Sequence, residues 1–97
     1  MAETWYLYIL QCRDNSYYTG VTIDIPQRLD RHNSGKGAKY TRSRRPCKLV
    51  YFEEHESEAD ARRREREIKG WRREKKHELV RGFPSSARER FLRISGQ

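Results

Sequence analysis

From Trp5 to Gln11 the chain reads WYLYILQ, with aromatic or aliphatic side chains on both alternating faces. A strand of that pattern is buried on both sides. Arg13-Asp14-Asn15-Ser16 is turn chemistry, and residues 17–21 (YYTGV) return as a second strand. The first twenty residues therefore predict a β-hairpin with tyrosines in both arms. Directly opposed residues of an antiparallel pair share a face, so Tyr8 and Tyr18 point the same way only across an odd-numbered loop. A three-residue loop over residues 14–16 satisfies this, whereas a two-residue Asp14-Asn15 turn would send them to opposite faces.

Further along, Asp24 fits an N-cap and Pro26 a first helical turn, predicting a short helix over 25–33 stopped by Ser34-Gly35. Arg28 and His32 stand four apart on one face of it. Residues 36–48 read as a loop with six basic side chains, and residues 49–52 as a third strand. Ser57 can cap a long helix to about residue 80, with Glu58 and Asp60 in its first turn and Arg and Lys later, as the macrodipole favours. Its apolar positions are sparse and form a narrow stripe (Ala59, Ala61, Ile68, Trp71, Leu79), and Gly70 inside it predicts a kink or a close backbone approach. Phe83-Pro84 ends it. Ser86-Ala87-Arg88-Glu89 has the capping-box pattern, predicting a last short helix whose Phe91, Leu92 and Ile94 pack back on the core. The expected fold is α+β, a small three-stranded antiparallel sheet flanked by helices. Residues 1–97 are expected to form a single domain, with 4–80 as its core and 81–97 as a C-terminal helical extension.

Composition narrows the function. Hydrophobic residues are 34% of the 97 and charged residues 37%, so the core is modest. Twenty-two Lys and Arg against 14 Asp and Glu leave a net charge of +8. A basic surface of that size meets a polyanion, because neutralising phosphates releases condensed counterions. No apolar run is long enough for a membrane span, and the N-terminus lacks a signal peptide's apolar region. Cys12 and Cys47 are expected as reduced thiols of a cytoplasmic protein, and no Cys/His cluster has zinc spacing.

Taken singly, every candidate residue has an ordinary explanation. Strand tyrosines are core or edge aromatics, and basic runs are solvated faces. Glu65 with Lys69 is an i,i+4 pair worth about 0.2–0.5 kcal/mol. Their joint spacing is what stands out. Tyr6-Leu7-Tyr8 and Tyr18-Thr19-Gly20 place two tyrosines ten apart, and Arg28 follows ten later, then His32-Asn33. The run Gly37-Ala38-Lys39-Tyr40-Thr41, Pro46 and Leu49-Val50 comes next, and Arg64-Glu65-Arg66-Glu67-Ile68-Lys69-Gly70-Trp71 closes the series. In this order they resemble the GIY-YIG nuclease superfamily, in its small single-domain bacterial branch, and the nuclease subunit of structure-selective junction endonucleases. Two positions depart from the family pattern: Tyr6 replaces the first motif's Gly, and Thr19 the second motif's aliphatic.

The resemblance implies a metal-dependent endonuclease acting on DNA in repair or recombination. Glu65 would hold one divalent ion, Mg²⁺ first and Mn²⁺ as the alternative. Tyr8 would be general base or orient the attacking water, its phenol pKa brought down by neighbouring cations. Arg28 would stabilise charge on the phosphate, and Tyr18 and His32 would hydrogen-bond water or phosphate. Lys39, Tyr40, Arg42, Arg44, Arg45, Lys69, Arg72 and Arg73 are the expected nucleic-acid contacts, DNA being favoured over RNA. Glu67 lies about 200° around the helix from Glu65 and cannot share its site. Two other functions compete: a non-catalytic nucleic-acid-binding module, and a nuclease subunit that depends on a protein partner for targeting.

Overall fold

A computed structural model describes residues 3–84, 86 and 87, which form the elements β1 (Trp5–Gln11), β2 (Tyr17–Thr22), α1 (Ile25–Asn33), α2 (Lys39–Arg42), β3 (Lys48–His55), α3 (Glu58–Lys69) and α4 (Arg73–Arg81). The strands form one antiparallel sheet in the order β2-β1-β3. This makes β1 the central strand, as its two apolar faces require. One face packs Tyr8, Leu10, Leu49 and Phe52 against Ile25 and Leu29 of α1. The opposite face packs Leu7, Ile9, Val21 and Val50 against Ala61 and Ile68 of α3. The expected α+β architecture is present, with Phe91, Leu92 and Ile94 of the expected last helix lying outside the described residues.

The hairpin loop is odd-numbered but sits one residue earlier than expected. Cys12 N–H donates to the Ser16 carbonyl at 2.9 Å, closing a loop of residues 13–15. Asn15 takes a positive φ of 68°, a conformation Asn tolerates and one suited to a three-residue hairpin loop. The pairing Leu10↔Tyr18 and Tyr8↔Gly20 follows, so Tyr8 and Tyr18 share the α1 face with ring centroids 6.4 Å apart.

Helix α1 has the predicted limits. The Asp24 carboxylate accepts from Gln27 N–H at 3.0 Å, and Pro26 sits in the first turn. Ser57 caps α3 by accepting from Asp60 N–H at 3.1 Å. Three expectations needed correction. The long helix is two helices: Gly70 and Trp71 turn back with N–H bonds to the Glu67 and Ile68 carbonyls, and Trp71 folds under Arg64 and Lys75. The basic loop 36–48 contains the single turn α2, held by the buried Thr41. Strand β3 runs on to His55, with Tyr51, Glu53 and His55 joined in a hydrogen-bonded set on one face. No helix of the described residues is long and apolar enough to cross a membrane.

Two substitutions test this packing. Ile68→Val deletes one methylene from a side chain with no exposed surface, so the urea midpoint should fall by the equivalent of about 0.5–1.5 kcal/mol at unchanged slope. The Thr19 hydroxyl is buried without a hydrogen-bond partner. Thr19→Val relieves an unsatisfied group and should raise the midpoint, and a lower midpoint would show that the hydroxyl is bonded after all.

Candidate active site

Gly20 lies directly opposite Tyr8 in the hairpin. A Cβ on Gly20 would stand 2.6 Å from the Tyr8 phenolic oxygen, so the phenol fills the space that only glycine leaves. Tyr8 thereby extends across β2 toward its free edge. There its oxygen meets His32 Nε2 at 3.0 Å, and His32 Nδ1 meets the Thr41 hydroxyl at 2.8 Å. The direction of these bonds follows from one proton count. The Thr41 hydroxyl donates its only hydrogen to the Ala38 carbonyl at 3.0 Å, so it must accept from His32 Nδ1–H. Nε2 then carries the lone pair and accepts the Tyr8 O–H. Gly37 backs this imidazole closely: a Cβ there would lie 2.5 Å from Nδ1.

His32 is 2% exposed, and its pKa falls from an ordinary 6.5 to about 4. Burial is the main cause, with the charges of Arg28 and Arg31 adding to it. The ring is neutral at pH 7. The expected depression of the Tyr8 pKa is not found. Burial first, then the Tyr18 phenol and more weakly Glu65, push it above that of a free phenol, and Arg28 only partly opposes them. Tyr8 is a protonated donor in this state. The cations near it are outweighed because its oxygen is enclosed.

Tyr18 forms a wall between two cavities. One, of about 310 Å³, is lined by Tyr18, Arg28, Arg31, His32 and Lys36. The other, of about 380 Å³, is lined by Tyr17, Tyr18, Thr19, Tyr40, Lys69 and Lys76. The Tyr18 ring contacts His32 edge-on at 5.0 Å and stacks on Tyr40 at 6.1 Å. Arg44 covers the Tyr40 ring at 4.0 Å, held by Asp14 at 3.1 Å and the Tyr40 carbonyl at 2.8 Å. Lys39, Tyr40, Arg42 and Arg44 line a third, larger concavity of about 740 Å³.

Glu65 comes from α3, on the other side of the sheet, yet its charge is felt at Tyr8 because β2 is an edge strand. Its side chain is only 14% exposed, with Lys69 Nζ at 3.1 Å and an Arg62 nitrogen at 3.7 Å. Glu67 is 53% exposed and pairs with Arg64. Among the described residues no three His, Cys, Asp or Glu gather as a closed metal cage. A lone carboxylate fits an ion that keeps its waters and takes phosphate oxygens as ligands, as Mg²⁺ does, and not a zinc-type site.

The structure thus gathers Tyr8, Tyr18, Arg28, His32 and Glu65 at the β2 edge, with Tyr40 and Lys69 beside them. Two expected nucleic-acid residues make contacts within the chain. Arg45 donates to the Arg42 and Asn33 carbonyls, and Arg73 lies over Tyr17 at 4.7 Å. Arg72 is exposed just ahead of α4. The sequence alone points to no individual role for Thr41 or Arg31. For Thr41 no local signal existed, since its partner is nine residues away and the turn that presents it is a single one.

Comparison with known proteins places this geometry. The family model described as the GIY-YIG catalytic domain matches residues 4–78. The UPF0213 protein of Staphylococcus haemolyticus is 51% identical over 75 residues, covering 77% of this chain and 92% of that protein. That of Haloquadratum walsbyi is 49% identical over 80 residues, covering 82% and 90%. Among solved structures, the solution structure of the UPF0213 protein BH0048 from Bacillus halodurans is similar with a TM-score of 0.52 and 49% identity, covering 79% of this chain and 82% of that one. The protein EF2693 from E. faecalis gives a TM-score of 0.57 at 38% identity, covering 84% and 88%.

The low His32 pKa has a direct thermodynamic consequence. Unfolded His takes up a proton near pH 6.5, which the folded ring refuses until about 4, so folding stability is complete above 6.5 and falls as the pH drops toward 4. Between pH 6.5 and 5, above the carboxylate range, denaturation midpoints should decline in the wild type, and His32→Gln should flatten that decline. An equal slope in both proteins would show that His32 titrates normally.

Proposed function

The chain belongs to the GIY-YIG nuclease family, and from that premise we propose that it is a divalent-metal-dependent endonuclease hydrolysing DNA phosphodiesters. The observation that carries this reading is the directed chain Tyr8 O–H to His32 Nε2, with Nδ1–H to Thr41, whose His32 lines a cavity together with Arg28, Arg31 and Lys36. Hydrolysis of a phosphodiester needs a water oxygen to bond phosphorus as the ester P–O bond breaks, with the water's proton removed, the departing ester oxygen protonated from solvent and the phosphate's charge balanced. Tyr8 accepts that proton as its own passes to His32 Nε2, so one proton moves from water to imidazole and Tyr8 ends neutral. His32 is a poor acceptor while burial, Arg28 and Arg31 oppose its charging. A phosphate in the same cavity offsets both arginines and restores its affinity for a proton.

Arg28 would balance transition-state charge from the cavity wall, where one of its terminal nitrogens donates to the Val21 carbonyl at 3.3 Å. Tyr18 holds the phosphate or water between the two cavities. Glu65 would hold the ion, which supplies Lewis acidity at the phosphate when bound. Lys69, Tyr40 and the concavity of Lys39, Arg42 and Arg44 support the flanking strand, and repair or recombination is the setting that structure- or strand-selective cleavage would serve. The basic surplus accords with action on nucleic acid, for which the cytoplasm is the proposed setting.

The test uses labelled linear, single-stranded, flapped and branched DNA with and without Mg²⁺ or Mn²⁺. Wild-type protein should cut at least one substrate only with metal. Glu65→Gln, Tyr8→Phe and His32→Gln, verified as folded, should each lower the rate by at least about 10²-fold. Cleavage that survives Glu65→Gln would remove Glu65 from the site. Binding without cleavage on every substrate would replace the enzyme with a binding module or a partner-dependent subunit.

A further inference from the structure

Helix α3 buries two apolar side chains against the sheet, Ala61 and Ile68, neither with any exposed surface. They lie seven residues apart, nearly two full turns, and define a single line of contact. Such a seam fixes where the helix lies but constrains its rotation about its own axis weakly. At about 100° per residue, Arg64 and Glu65 project about 50° to either side of that seam. Glu65 leans to the β2 edge and Arg64 to the opposite side, toward β3.

On that side Arg64 meets Glu53, which faces α3 from β3, opposite Leu7. Its Nε stands 3.1 and 3.0 Å from the two carboxylate oxygens, and a terminal nitrogen stands 2.9 Å from one of them. The Glu53 carboxylate is itself fixed, accepting from the Tyr51 hydroxyl at 2.5 Å and touching His55 Nε2 at 2.9 Å. With only 17% of the Glu53 side chain and 26% of Arg64 exposed, this is a fork held in a partly dry environment. No other element of the proposed reaction uses it.

We propose that the Glu53–Arg64 pair is a positioning device that sets the rotation of α3 and so aims Glu65 at Tyr8 and the β2 edge. The proposal rests on the nuclease reading of Glu65 for its catalytic consequence, but not for its geometry. A rotation that releases Arg64 from β3 swings Glu65 through the same angle, since one rigid helix carries both. Neither Glu53 nor Arg64 touches the reacting atoms.

The experiment pairs a geometric readout with a kinetic one on the full chain. Amide residual dipolar couplings in weakly aligned protein report the phase of α3 about its axis relative to β1, without metal or DNA. Glu53→Gln keeps the side chain's shape but cannot match the guanidinium fork with two anionic oxygens. It should shift the phase of α3 by more than about 10–20°, the tolerance of a catalytic geometry. It should also lower kcat by about 10- to 100-fold with KM for DNA little changed, because the cations that bind the strand lie elsewhere. Arg64→Lys, which keeps the charge and loses the fork, should fall between, and serves if Glu53→Gln does not fold. Arg63→Ala, on the exposed outer side of α3 and paired with Asp60, should leave both readouts as in wild type.

A folded Glu53→Gln protein with the wild-type phase would overturn the proposal, whatever its activity. So would a shifted phase with full kcat. If the wild type cleaves nothing, the nuclease reading fails by itself, and the couplings still decide whether the pair sets the helix.

Discussion

The structure turns on the hydrogen bond between the Tyr8 phenol and His32 Nε2, made across the gap left by Gly20. Three distant parts of the chain meet in it: the central strand, the last turn of α1 and the single turn α2. Each depends on the others. Without a glycine opposite Tyr8 the phenol would be displaced, without Thr41 the imidazole tautomer would be free to change, and without Gly37 the ring could not be backed so closely. A hydrogen bond enclosed in this way is costly to leave half-made, which gives the arrangement a single geometry.

Around this neutral chain the charges are mostly positive. Arg28, Arg31 and Lys36 line one side of Tyr18, and Lys69 and Lys76 the other. Burial and two of these cations keep His32 uncharged, and burial keeps Tyr8 protonated, so the free protein holds its proton carriers in their resting forms. In the proposed reaction the polyanion is the missing counter-charge, bringing both the phosphorus and the field that lets His32 accept a proton. The basic surplus of the whole chain and the electrostatics of the site thus have the same complement.

A thin sheet allows groups from opposite faces to meet. Helix α1 covers one face and α3 the other, with β2 at the free edge between them. With two buried apolar side chains beneath α3, polar pairs at its flanks take on the work of orientation. This is how a chain with 37% charged residues can still order a site.

The period of the apolar positions determined the hairpin, the limits of α1 and the shared face of Tyr8 and Tyr18, because strand parity, Asp24 capping and Pro26 are local constraints. Motif spacing singled out Tyr8, Tyr18, Arg28, His32 and Glu65, and the helical angle separated Glu65 from Glu67. The break at Gly70-Trp71 and the length of β3 were decided by tertiary contacts: Trp71 folding under Arg64 and Lys75, and Glu53 finding Arg64 eleven residues on. The protonation of Tyr8 belongs to the same class. Residue type alone pointed to a phenol lowered by nearby cations, but the sign of the shift depends on how far its oxygen is enclosed, and that enclosure exists only once β1, β2 and α1 have packed together.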